Sequence, residues 1–115
     1  MTEIHPFLAV RDVGRAVEFY AEAFGAVEVG RRVVAPDGRE VAVLTIDGCP
    51  VGLATEAPEL GTPSPETAGA TTVRISLHVD DPDTVQERAV AAGATEMFPV
   101  ADQPYGHWLI GRPLG

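Results

Sequence analysis

Three histidines (His5, His78 and His107), one cysteine (Cys49) and seventeen carboxylates are the side chains of this 115-residue chain suited to metal binding or proton transfer. Zinc and iron sites take three or four donors at set spacings. The three imidazoles are scattered from one end of the chain to the other, and that spacing gives no warrant for convergence. Cys49 follows the turn dipeptide Asp47-Gly48 with no histidine beside it, so it reads as an idle thiol rather than a nucleophile. No Gly-x-Ser-x-Gly elbow and no phosphate-cradling glycine loop occurs. The most suggestive stretch is "RISLHV", residues 74–79. Side chains of a strand alternate between faces. Ile75, Leu77 and Val79 therefore predict a buried face, and Arg74, Ser76 and His78 an opposite face with a cation, a hydroxyl and an imidazole. Such a face is either half-solvated sheet or one wall of a binding site.

Composition narrows the choice of partner. Hydrophobic residues make up 45% and charged residues 22%, as expected of a globular domain, and the length predicts a single domain over 1–115. Eight basic residues, all arginine, oppose the seventeen acidic ones, for a net charge of −9. Phosphate-rich partners require a basic surface, so a nucleic acid or an anionic membrane is not expected. A cationic ligand is compatible with this charge. One cysteine excludes an internal disulfide. The opening "MTEIHPFLAV" has no basic region followed by a long apolar run, so neither a signal peptide nor a membrane span is predicted, and a cytoplasmic location is expected.

The elements that would position these residues repeat. "VRDVGRAVEFYAEAFGAVEV" (10–29) and "VDDPDTVQERAVAAGATEM" (79–97) both open on Val-x-Asp and close on Gly-Ala-x-Glu. Asp12 and Asp81 read as helix N-caps, and Pro82 suits the first helical position. Helices are predicted near 13–24 and 82–92, the first burying Val13, Ala16, Val17, Tyr20 and Phe24 and exposing Glu18 and Glu22. Gly25 and Gly93 stand where a left-handed residue ends a helix. A strand precedes each helix ("IHPFLAV" and "TVRISLHV"). "AVEVGRRVV", "VAVLTI" and "PVGLAT" follow the first helix, separated by the turns "PDG" and "DG". The pattern is a β-α-β-β-β module over about 1–56, an exposed linker over about 57–70, and a second module over about 71–115.

The phrases "HPFLAVRDVGRAVEFYAEAFGA", "PDGREVAVLTIDG", "LHVDDPDTVQERAVAAGAT" and "PVADQPYG" resemble the vicinal oxygen chelate superfamily of glyoxalases, extradiol dioxygenases and bleomycin-resistance proteins, and most of all its antibiotic-resistance or PhnB-like branch. The resemblance implies an α+β fold of two βαβββ modules whose curved sheet forms a cup. The ligand sits on the concave face and the helices pack on the convex one. It places His5, Phe7, Val41, Val43, Arg74, Ser76 and His78 on the cup, with Tyr105 and Trp108 as further aromatic contacts.

Metal-dependent members use four side chains, on the first and fourth strands of each module. His5 matches the first place. Arg74, standing as far ahead of Asp81 as His5 does of Asp12, has no lone pair for a metal. Gly52 falls at or near the next place, with Glu56 at the strand end, and "HWLIGRPLG" supplies no glutamate for the last. One matching ligand, His5, does not make a metal site, so no cofactor is expected. The resemblance then implies a non-catalytic protein that binds or sequesters a small aromatic or cationic molecule, such as an antibiotic or natural product. The alternatives are a metal-dependent lyase, isomerase or dioxygenase with a rearranged site, and a regulatory dimer with a vestigial cavity. Because "PYGHWLIGRPLG" omits a hairpin that related chains carry, the second module is one strand or hairpin short. A homodimer is expected to cover the open edge.

Overall fold

A computed structural model describes residues 1–96, 101–103, 106–108 and 111–112. Strand β1 (Phe7–Val10) leads into helix α1 (Val13–Phe24). Asp12 caps that helix, its carboxylate accepting the Arg15 N–H at 3.1 Å. Gly25 ends it at φ 68°, a left-handed conformation that an L side chain adopts only with strain. The buried stripe is Val13, Ala16, Phe19, Tyr20 and Ala23, while Val17 and Phe24 flank it half-buried and Glu18 and Glu22 are exposed. The predicted stripe was thus right in its helix and slightly rotated in its face.

Beyond α1 the sheet is built from β2 (Val27–Glu28), β3 (Val33–Val34), β4 (Glu40–Ile46) and β5 (Cys49–Thr55). The expected single strand "AVEVGRRVV" is two short ones. Gly30 turns the chain at φ 68°, and Arg32 is drawn to Glu28 (3.1 Å) and Glu40 (3.4 Å) between them. Strands β4 and β5 form a hairpin around Asp47 and Gly48, both at positive φ, as two-residue hairpin turns require. The sheet order is β1-β5-β4-β2, with β3 also on β4 and β1 parallel to β5. Leu44 and Leu53 on its helix side are fully buried, and with Val10, Ala42 and the α1 stripe they make the core.

The region read as an exposed linker is mostly exposed, but it carries local structure and is anchored to the first module at Ser64. It contains a 3-10 turn (Pro58–Leu60) and the short helix α2 (Pro65–Ala68), and Ser64 is fully buried. Buried polar groups need partners. The Ser64 N–H donates to Glu56 at 2.9 Å, and its hydroxyl accepts from the Thr67 N–H.

Helix α3 (Pro82–Ala91) is capped by Asp81, which accepts from the Thr84 N–H at 3.2 Å. Arg88 reaches from α3 to donate to the carbonyls of Ala21 and Glu22 at the end of α1. A cation is favourable at a helix C-terminus, and α1 has no basic residue of its own there. This contact ties the two helices, and through them the two halves of the repeat.

The second half departs from expectation at its first strand. Residues 74–79 run without helix or strand hydrogen bonding, so the predicted β-ladder is not formed. Ile75 is 45% exposed, and Leu77 and Val79 are half-buried rather than core. The strands that follow, β6 (Thr95–Glu96), β7 (Ala101–Gln103), β8 (Gly106–Trp108) and β9 (Gly111–Arg112), pair as the ladders β6-β9 and β7-β8, and neither ladder includes residues 74–79. The result is an α+β fold with an open curved sheet and a curtailed second module. No described helix is long and apolar enough to cross a membrane.

Candidate functional site

The β4-β5 hairpin decides which side chains share a face. Val43 pairs with Gly52 and Val41 with Ala54, while β1 places Phe7 beside Gly52 and Ala9 beside Ala54. Because side chains alternate, these six residues line the face away from α1. The predicted Phe7, Val41 and Val43 are therefore brought together on one wall. His5, just ahead of β1, sits edge-on to the Phe7 ring, with centroids 6.2 Å apart and planes at 74°.

Gly52 has a specific role on this face. It is buried, and a Cβ built on it would overlap Cδ2, Cε2 and Cζ of Phe7. The Phe7 ring lies across the space that any side chain at position 52 would need. Phe7 is nonetheless 52% exposed, so much of the ring remains open. At one end of the wall a shallow depression of about 250 Å³ is lined by Val33, Ala35, Arg39, Glu40, Val41, Ala54 and Thr55. Of these only Val41 was expected. Ala54 and Gly52 were legible from the Asp-Gly turn, since counting outward from a two-residue loop gives the register of both strands.

The polar residues nearby are already engaged. Glu56 accepts from the Ser64 N–H and pairs with Arg11 at 3.6 Å, and Arg11 pairs in turn with Glu66 at 3.0 Å. The Ser64 N–H above all, then the Thr67 hydroxyl and the Arg11 guanidinium, hold the Glu56 carboxyl below its ordinary range. Arg39 pairs with Asp37 and Glu59. The Glu28 hydrogen bond is the first reason that Arg32 is held above its ordinary value.

A divalent metal is what this fold family implies, and the described residues do not fit one. Position 52 offers no side chain and is roofed by a phenyl ring. Glu56 is committed to Ser64 and Arg11. Among the described residues no three of His, Cys, Asp and Glu come together as a metal-binding group.

Arg74, Ser76 and His78 are all exposed. No backbone ladder joins their segment to the wall carrying Phe7, Val41 and Val43. Trp108 is placed on β8, in register with Ala101. Tyr105 lies outside the described residues. Cys49 is exposed at the start of β5.

Comparison with known proteins agrees with this architecture. An uncharacterized protein of Mycobacterium bovis is 38% identical over 127 residues, covering 96% of this chain and 83% of its own length. The crystal structure of TioX from Micromonospora sp. ML1 matches with a TM-score of 0.60 and 26% identity, over 91% of this chain and 81% of that one. FosX, a genomically encoded fosfomycin resistance protein from Listeria monocytogenes, matches at 0.58 and 18% identity, over 89% and 75%, a likeness of fold. The family model that matches residues 4–110 completes the assignment: the chain belongs to the glyoxalase/bleomycin resistance protein/dioxygenase superfamily.

Proposed function

We propose that this protein binds and sequesters a small aromatic or cationic molecule, an antibiotic or other natural product, without transforming it. The observation that carries this reading is the wall of Phe7, Ala9, Val41, Val43, Gly52 and Ala54, apolar and built on a rigid hairpin. Ligand sites are mostly apolar with a few placed polar groups. The side chains that would hold a metal on this wall are replaced by a glycine and a ring, or are committed elsewhere.

The binding unit in this reading is a homodimer. Among the described strands, β1 is an edge of its sheet. Unpaired backbone edges favour pairing with another chain.

The test is titration of purified protein with metal-free bleomycin and a panel of aromatic natural products, followed by mass spectrometry of the recovered compound. Saturable binding with the compound returned unchanged is expected. Stoichiometric divalent metal in the purified protein, together with a chemically altered product, would overturn the reading.

A further inference from the structure

We propose that residues 57–70 form a strap latched over one end of the sheet through Glu56, and that the strap opens in acid as one unit while the β4-β5 hairpin stays folded. Strands β1 and β5 end side by side, Val10 against Thr55, and β4 starts next to them, Val41 against Ala54. Arg11, Glu56 and Arg39 flank those three strand ends. From there they hold the strap: Arg11 pairs with Glu66 at 3.0 Å and donates to the Thr67 hydroxyl at 3.3 Å, Glu56 accepts the Ser64 N–H at 2.9 Å, and Arg39 pairs with Glu59 at 3.4 Å.

Apolar anchoring of the strap is slight. Within 57–70 only Ala57 and Ser64 are buried, and Leu60 is 70% exposed. A segment with so few buried apolar contacts opens well below the cost of global unfolding. Its internal structure is small: the Pro58–Leu60 turn, a bridge between Ala57 and Thr62, and the four-residue α2. Helical turns this short do not persist alone in water, so undocking melts them and the strap behaves as a unit.

Exposure singles out Glu56 among the three carboxylates. The side chain of Glu59 is 67% exposed and that of Glu66 37%, against 17% for Glu56. Exposed ion pairs contribute little. Glu56 alone of the three accepts a backbone N–H, that of the fully buried Ser64. The charged group facing it is Arg11, between β1 and α1, and Glu66 on α2 shares that guanidinium. Protonating Glu56 removes the charge from the Ser64 bond and dissolves the ion pair with Arg11. These contacts, the Ser64 N–H first, hold the carboxyl below its ordinary 4.5, so the latch is intact above that value and is lost as pH falls through the depressed one. Opening also releases Glu59 from Arg39, which lines the depression at this end of the wall.

Amide hydrogen exchange of the full chain, followed by NMR from about pH 7 to about pH 3 and corrected for the intrinsic rate at each pH, reads the strap directly. At neutral pH the N–H groups of Thr62, Ser64 and Ala68, each bonded in the closed strap, are expected to be protected. In acid they are expected to lose protection together by about tenfold, the scale of one hydrogen bond to a charged group, while the β4-β5 hairpin keeps its own. Glu56→Gln keeps the shape and an acceptor oxygen but not the charge. It is expected to show the lowered strap protection already at neutral pH, with no further fall in acid. Arg11→Met, at a side chain 52% exposed, is expected to lower strap protection at neutral pH and leave a smaller acid response.

Strap amides that are unprotected in wild type at neutral pH would mean that no latch exists. Loss of strap and hairpin protection at the same pH would make the opening global and overturn the unit. A response confined to the Ser64 N–H would overturn it as well, leaving one bond that breaks rather than a segment that opens. If Glu56→Gln matches wild type both at neutral pH and in acid, Glu56 is not the latch.

Discussion

At the residue scale, the most consequential pair is one whose members were seen separately. Phe7 was legible as a cup residue, and Gly52 as a vacancy in a metal site, but their contact depends on β1 lying parallel to β5. That pairing joins strands separated by α1 and the three strands β2, β3 and β4, so no local signal specifies it. Tyr20 shows a different residue-scale effect. Burial in the core pushes its phenol up to about 12, because the tyrosinate would be desolvated. A pKa raised in the folded state gives stability that is intact below the unfolded value of 10 and is lost as pH rises toward 12. The chain has no lysine to obscure that window. Urea titrations from pH 9 to 12 should show wild type losing roughly 2–3 kcal/mol more than Tyr20→Phe. Glu56 acts in the opposite direction. Its carboxyl is held below the ordinary 4.5 by the Ser64 N–H first, so its contribution is present above that value and lost as pH falls through the depressed one. Glu56→Gln should therefore flatten the acid limb of a pH–melting curve below about pH 4.5 while leaving the alkaline limb unchanged.

At the element scale, local chemistry and long-range pairing divide what the sequence could reveal. Both helices, both N-caps and the β4-β5 hairpin were legible because each is set by residues within a few positions: Asp12 to Arg15, Asp81 to Thr84, Ile46 to Cys49. The Pro, Gly and Thr content of 57–70 signalled an exposed, turn-rich stretch without saying where it is anchored. The partner is Glu56, whose carboxylate satisfies a buried N–H of Ser64. The alternation in residues 74–79 predicted a strand, but alternation cannot say whether a neighbour strand exists, and no ladder includes these residues. Two leucines test this distinction. Leu53 is fully buried in the central hairpin, so Leu53→Ala should cost about 2–5 kcal/mol. Leu77 is only half-buried and lies in no described strand, so Leu77→Ala in dilute protein should cost roughly 1 kcal/mol or less. Equal losses in chemical denaturation would mean that residues 74–79 are core after all.

At the scale of the whole molecule, the two halves of the repeat are unequally finished. The first has a sheet, a covering helix and a fully buried leucine pair. The second has a capped helix held to α1 through Arg88, two short ladders, and the stretch 74–79, which no ladder includes. Val73 and Ile75 stay exposed in and beside that stretch, and Ile4 stays exposed ahead of β1. Open sheet edges such as that of β1, beside exposed apolar side chains, favour strand addition between chains, with main-chain hydrogen bonds giving affinity and burial adding to it. A dimer formed this way should have about twice the 12.1 kDa of one chain by analytical ultracentrifugation. Successive N–H groups of an extended segment point to opposite edges, so Ile75→Pro and Ser76→Pro each delete a donor from a different edge. At least one of the two should sediment as a single chain with its helical circular dichroism intact, since α1 and α3 do not include these positions. If both variants keep the dimer mass, the contact lies elsewhere on the molecule. If wild type sediments as one chain at its highest soluble concentration, the open segment is not an interface between copies.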